Sequence, residues 1–415
     1  MKNKKLIYFT ENFPVGTSVM WKLNELKYLK DHFEKITIVP YTFGKYTNRC
    51  LDLPSSVTVT EPLFKESFTS DSAPTQVVKL IFSKHCIYFL KEFFRKNIFF
   101  NTKWFTPWLT YSLETKKILE NVDIKRILKG SDKDTVFYFY WGKGASSIVP
   151  FINRSRVDKI IVRMHRYDLY EFENNGYIPY RIPLLTSATL IAPSSQNGYD
   201  HIKNIYPHIH YNMSVVRTGV IGEGTANKSE DKTLRILSCS HLIPVKRVDI
   251  ILRALKLVKI PIEWTHLGDG TLMNDLKREA ASLPHYILVN FEGLIEAKKV
   301  MHYYLTHPVD LLINVSSSEG VPFSIMEAFS ASIPVFATNV GGTGEIVDDT
   351  TGAILPADIT PEILANKITE FYNLSEIKKD ELRKNAYARY STMCNAAILA
   401  KQLAKYMAGT SDSPM

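Results

Sequence analysis

Short apolar runs alternate with amphipathic stretches of helical length along nearly the whole chain, and this alternation restricts the fold more than any other feature. In the first half the strand candidates are Leu6–Phe9, Ile36–Val39, Val57–Val59, Val136–Tyr140, Ile160–Arg163, Leu190–Ala192 and Ser214–Val216. In the second half they are Leu234–Ser238, Glu263–Leu267, Ile287–Phe291, Leu311–Val315, Val335–Thr338 and Ala353–Leu355. Helical periodicity fills the gaps, as in Trp21–Phe33 and near 247–258, 271–283, 296–305, 324–331, 361–372, 376–389 and 395–407. Strand and helix in turn, over such lengths, imply parallel sheets with crossover helices. At ~150 residues per domain the 415 residues make two or three domains. The polar, glycine-containing segment 219–233 reads as the linker. The expected architecture is α/β: two Rossmann-like domains with parallel sheets facing across a cleft. Their expected bounds are 1–222 and 223–391, with a last helix at about 392–408 packing back on the first.

Composition removes several classes. Apolar residues are 45% and charged residues 22%, which excludes disordered, collagen-like and coiled-coil chains. The apolar runs fall far short of the ~20 residues of a membrane-spanning helix. The basic start reaches Glu11 too soon to form a secretory signal, so a cytoplasmic protein is expected. Four scattered cysteines without a CxxC pair give no zinc ribbon or disulfide framework.

The net charge of +9 is unevenly spread. Residues 1–222 carry 31 Lys and Arg against 19 Asp and Glu, whereas 223–415 carry 20 against 23. The densest stretch, 79–105, interleaves Lys and Arg with Phe, Tyr, Ile and Trp. It is either an amphipathic surface for an anionic membrane, on the inner face of the plasma membrane, or a helix pair with its aromatic face turned inward. No nucleic-acid motif accompanies it.

Open parallel sheets bind ligands at the carboxyl ends of their strands. The segment DLLINVSSSEGVPFSIMEAFSASIPVFATNVGGTGEIV, 310–347, places a strand, a small-residue loop and a helix in that order. Ser324 and Glu327 have capping-box spacing, so the helix is predicted to start at Ser324. Glu327 then either caps the helix or serves a ligand. Glu319 stands just before the turn, where a carboxylate faces the sheet's binding edge. Free N–H groups at the helix start suit an anionic or hydroxyl-rich ligand.

The setting EGVPFSIMEA followed by IPVFATNVGGTGEIV resembles the donor-binding signature of glycosyltransferase family 4. RILSCSHLIPVKRVDIILRAL (235–255), HLGDGTLMNDL (266–276) and VNFEGLIEAKKVMHYY (289–304) resemble the segments that precede it in that family. YFTENFPVGTSVMWKLNELKYL (8–29) and IIVRMHRYDLYE (160–171) resemble the family's first strand and glycine loop and its histidine segment.

The resemblance implies a GT-B fold and a retaining transfer from a nucleotide diphosphate sugar without a catalytic metal or other cofactor. It assigns Lys246 to the diphosphate, Glu319 with the N–H groups of Gly320, Val321 and Phe323 to the donor sugar, and Pro322 to fixing the turn. Glu327 would take the ribose and the main chain at Leu294 the base. Gly16 would permit close approach to the diphosphate, and His165 would face the transferred sugar. Gly341-Gly342 either allows a close approach or only shapes a turn. His241 stands where the family has an arginine, and Arg247 either compensates or faces solvent. A cation at the departing diphosphate is worth more in the transition state than in the ground state.

The expected function is a hexosyltransferase acting on a surface-polysaccharide acceptor, free or lipid-linked, with a UDP-sugar preferred as donor. The alternative from another class is a non-catalytic partner of the same fold that binds nucleotide sugar or membrane in an assembly complex. No DxD triplet stands at a strand end and the histidines lack ligand spacing, so no metal is expected.

Overall fold

The structure, a computed structural model, describes residues 4–15, 19–44, 53–66 and 73–414. Two sheets of six parallel strands organise it. The first is built from β1 (Lys5–Thr10), β2 (Lys35–Pro40), β3 (Val57–Val59), β4 (Thr135–Phe139), β5 (Lys159–Met164) and β6 (Leu190–Pro193). The second holds β7 (Leu234–Cys239), β8 (Ile262–Leu267), β9 (Ile287–Gly293), β10 (Leu311–Asn314), β11 (Val335–Thr338) and β12 (Gly352–Leu355). The orders are β3-β2-β1-β4-β5-β6 and β12-β11-β10-β7-β8-β9. Each sheet starts in its middle, builds to one edge, then returns to the centre and builds to the other. Both are therefore Rossmann-like, and each reverses direction once, between β1 and β4 and between β7 and β10.

The strands are nearly all-apolar because helices cover both faces. β4 is buried at every position. In the second sheet Leu312 and Ile313 point to opposite faces, and both are buried. The strand candidate Ser214–Val216 is a correction: these residues form no strand. Ser214 and Val216 donate backbone N–H groups to Ile191 and Pro193 along the edge of β6, but the ladder does not continue.

The chain divides into two compact units, Met1–Val216 with Ala400–Met415, and Arg217–Leu399. The polar segment 219–233 is tied into the second unit rather than free. Val220 pairs with Cys394 and Ala396, Gly222 N–H donates to the Tyr390 hydroxyl, and Ala226 N–H to the Ala331 carbonyl. The helix Ala396–Ala408 carries Leu403, Ala404 and Met407 into the core formed by Leu6, Tyr8, Ile36 and Val136 of the first sheet.

A buried ion pair sits within the first unit. Arg163, on β5, donates to Glu25 Oε2 at 2.5 Å, to the Tyr138 hydroxyl at 2.9 Å and to the Val216 carbonyl at 3.1 Å. It thus ties the helix Val19–Leu29, the sheet and the end of the unit's first segment together. Glu25→Ala leaves a buried guanidinium without its counter-charge and is expected to lower stability by about 3–5 kcal/mol. Urea unfolding checks this; a loss below about 1 kcal/mol would mean that the pair is dispensable.

Candidate active site

The reversal of strand order between β7 and β10 brings two loops together at the carboxyl edge of the second sheet. The first loop leaves β7 and forms a 3₁₀ turn, Pro244–Lys246. The second leaves β10 and leads into the helix Phe323–Ser330. Ser317 joins them, donating its N–H to the Val245 carbonyl at 2.8 Å and its hydroxyl to the same oxygen at 3.2 Å.

At this junction Lys246 Nζ lies 2.6 Å from Glu319 Oε1. Asn314 Nδ2, at the end of β10, donates to the same oxygen at 3.3 Å, and Asn314 Oδ1 accepts from the Ser316 N–H at 3.1 Å. Glu319 is buried and Lys246 part-exposed. The cation therefore sits at the accessible side of the pair, where an anion could meet it, and the carboxylate is held in place from behind.

Arg247 reaches the loop after β10. Its backbone is left-handed, at φ 49°. Its guanidinium donates to the carbonyls of Val315 at 2.7 Å and Ser316 at 3.0 Å. It clamps the strand end beneath Glu319 instead of facing solvent. Burial lowers its pKa from the usual arginine range. His241 is exposed.

Gly341 backs the carboxylate loop. Its φ is +55°, and a Cβ there would stand 1.9 Å from the Glu319 carbonyl oxygen. Gly342 N–H donates to the Gly320 carbonyl at 2.7 Å. The glycine pair thus packs backbone on backbone against the Glu319–Gly320 segment. Val321 is part-buried and Pro322 buried, while Leu294, beyond β9, is largely exposed. Gly16 lies outside the described residues.

The helix start corrects the capping-box expectation. The helix opens at Phe323 with Pro322 as its N-cap and no side-chain cap. Proline's fixed φ suits that extended position, at φ −67° and ψ 127°. Ser324 consequently falls inside the first turn, where its hydroxyl cannot cap. The Glu327 carbonyl accepts from the Ser330 hydroxyl at 2.7 Å, but its carboxyl has no hydrogen-bond partner among the described residues. Burial pushes its carboxyl up to about 7.

A hydrogen-bonded chain supports the β7 loop from below, and sequence patterning gave no sign of it. Trp264 Nε1 donates to Ser238 Oγ at 2.9 Å, and Ser238 Oγ lies 2.8 Å from His266 Nδ1. His266 Nε2 reaches the Ser240 carbonyl at 3.1 Å. Burial lowers the His266 pKa to about 4, so the ring is neutral. The carbonyl requires the proton on Nε2, so Nδ1 accepts from the serine. Asn314 is equally invisible to motif reading, because a lone asparagine at a strand end has no signature.

In the first unit, His165 follows β5. Its ring centroid lies 4.9 Å from that of Tyr140 and 4.8 Å from that of Trp141, and its Nε2 has no partner. Burial, helped by Arg163 and Lys22, drives its pKa well below the ordinary value, so the imidazole is neutral. Lys22 lies 4.8 Å over the Tyr140 ring, and burial brings its pKa down to about 8. Asp168 links the loops after β4 and β5, accepting from the N–H of Gly142 and, at 2.7 Å, from that of His165. Among the described residues no group of three or more His, Cys, Asp or Glu is placed to hold a metal ion.

The raised Glu327 pKa has a stability consequence. The folded protein retains a proton there between about pH 4.5 and 7 that the unfolded chain releases. Its stability is therefore fully present at low pH and falls as pH rises through the folded value. Glu327→Gln is expected to reduce the loss between about pH 5 and 8 by roughly 1–3 kcal/mol. Urea unfolding at the two pH values checks this, and an unaltered difference would contradict a buried proton.

Residues 223–389 match the family model of glycosyl transferases group 1. The chain is 27% identical over 192 residues to an alpha-monoglucosyldiacylglycerol synthase of Streptococcus pneumoniae, covering 42% of this chain and 43% of that protein. It is 25% identical over 207 residues to the amylovoran biosynthesis glycosyltransferase AmsK of Erwinia amylovora, covering 47% and 50%. The chain thus spans half or less of the length of these curated relatives. The structure of Anabaena Alr3699/HepE in complex with UDP and glucose superposes with a TM-score of 0.63 at 15% identity, covering 98% of this chain and 100% of that one. The two sheets therefore have the GT-B architecture, and residues 223–389 are similar to group 1 glycosyl transferases.

Proposed function

We propose that this protein is a retaining glycosyltransferase of the family 4 kind. It moves a hexose-type sugar from a UDP-sugar to a surface-polysaccharide precursor carried on a lipid. The observation that carries this reading is the Lys246–Glu319 contact of 2.6 Å at the strand-order reversal of a domain similar to group 1 glycosyl transferases. The diphosphate gains negative charge as the glycosidic bond breaks, and the lysine ammonium stabilises that charge most when it is fully developed. Glu319 and the N–H groups of Gly320, Val321 and Phe323 receive the donor sugar's hydroxyls. Glu327 takes the ribose hydroxyls, and its neutral carboxyl can both donate and accept there. Leu294 meets the base. A neutral His165 offers Nε2 to the transferred sugar. A donor phosphate oxygen takes the acceptor's proton, and no metal is required.

The likeness to a protein seen with UDP and glucose supports UDP. The likeness to an alpha-monoglucosyldiacylglycerol synthase supports a lipid-borne acceptor. The stretch 79–105 supports it. Its helix Cys86–Arg95 turns Phe89 inward, and Trp108 of the helix Thr102–Glu120 donates its indole N–H to the Phe89 carbonyl. Phe82, Ile87 and Phe100, however, are 85%, 84% and 85% exposed. Lys79, Lys84, Lys91, Arg95, Lys96 and Lys103 surround them, and the sole acid, Glu92, is buried against Tyr177 and Tyr180. Cations around exposed rings complement an anionic bilayer surface.

Transfer from a panel of UDP- and GDP-sugars to lipid-linked acceptors tests the reaction. Lys246→Ala and Glu319→Ala are each expected to lower kcat by ~10²-fold or more. UDP binding without transfer to any acceptor would favour a non-catalytic binding protein. Sedimentation with vesicles containing anionic phospholipid tests the surface: Phe82→Ser with Phe100→Ser is expected to reduce binding at least five-fold. Equal binding to neutral vesicles would remove the electrostatic part.

A further inference from the structure

The first sheet has its own strand-order reversal, between β1 and β4, and a cavity of about 340 Å³ opens at the carboxyl ends of those strands. All its walls belong to the first unit. The rings of Tyr41, Trp141 and Tyr167 supply apolar faces. Lys143 lies 4.5 Å over the Tyr167 ring and spends one N–H on Asn174 Oδ1, at 2.5 Å. An ammonium has two further donors. Asp168 is committed to the two loop N–H groups described above.

Glu114 differs from the other polar groups here. It projects from the middle of the helix Thr102–Glu120, is 8% exposed, and its Oε1 has no hydrogen-bond partner among the described residues. The Tyr41 hydroxyl draws the Glu114 pKa down, but burial outweighs this and pushes it up to about 7. A buried oxygen left without a donor destabilises a fold. A carboxyl retained under that penalty, in the wall of a cavity with aromatic faces and an ammonium, matches a ligand with hydroxyls on its rim and C–H groups on its faces. That is the chemistry of a pyranose ring.

We propose that this cavity seats a sugar ring of the acceptor, with Glu114 Oε1 accepting from one of its hydroxyls and Lys143 donating to another. The proposal rests on the transfer reaction inferred above and makes Glu114 a specificity-determining residue, not a catalytic one.

Saturation-transfer NMR on the full chain, with methyl glycosides of glucose, galactose and N-acetylglucosamine as probes, tests it. UDP titration and thermal melting are measured on the same samples. At least one hexoside is expected to bind the wild type and to bind Glu114→Met and Lys143→Ala at least ten-fold more weakly. UDP affinity is expected to stay within two-fold. Glu114→Met is expected to melt no lower than the wild type, because it removes an unsatisfied buried oxygen. UDP binding with no hexoside binding overturns the proposal, as does hexoside binding that both variants leave unchanged. A lower melting temperature in Glu114→Met with hexoside binding intact makes the carboxyl a structural acid and also overturns it. Loss of UDP binding by the wild type, with hexosides still bound through Glu114, sinks the transfer reading instead.

Discussion

A lysine and a glutamate 73 positions apart in sequence meet at 2.6 Å only because the second sheet reverses its strand order between them. Three further residues at this edge support that contact. Ser317 ties one loop to the other, Arg247 holds the strand end beneath the carboxylate, and Asn314 supports the oxygen that the lysine touches. A lysine ammonium on a flexible stem loses much rotamer entropy when fixed. A partner held from behind reduces the freedom still to be lost when an anion arrives. In the reaction proposed above, the pair would hold the cation where charge develops during bond cleavage.

The strands were legible because parallel sheets covered on both faces demand continuous apolar runs, and helices separate most of them. Ser214–Val216 misled for the same reason: an apolar run beside a sheet edge makes two backbone bonds whether or not it extends the ladder. The positions of Lys246 and Glu319 were readable as motif, since the loop after a strand and the turn before a helix both leave local marks. The helix start was not, because Pro322 and the Ser324–Glu327 spacing pointed to different residues, and the ring geometry of proline prevailed. Arg247 illustrates a deeper limit. Its guanidinium finds two carbonyls on a loop 68 and 69 residues away, and no local pattern encodes that.

Buried ionisable groups gather at the carboxyl edges of both sheets. Glu114, Asp168 and Glu327 are each pushed up to about 7 by burial, while His165 and His266 are held neutral. The interior of each unit elsewhere is conventional, packed with aliphatic and aromatic side chains. Such clustering follows from how open sheets end: strands stop, backbone turns away, and polar side chains fill a rim that helices do not cover. In its protonated form a carboxyl of this kind can both donate to and accept from a hydroxyl.

The return of the helix Ala396–Ala408 to the core of the first sheet has a bearing on how the molecule is made. Domains generally fold as they leave the ribosome, earliest segment first. Here the earlier sheet lacks Leu403, Ala404 and Met407 until the second sheet has been synthesised, so the unit that emerges first is completed after the strands of the other. Until then the apolar side chains that this helix covers have no partner from it.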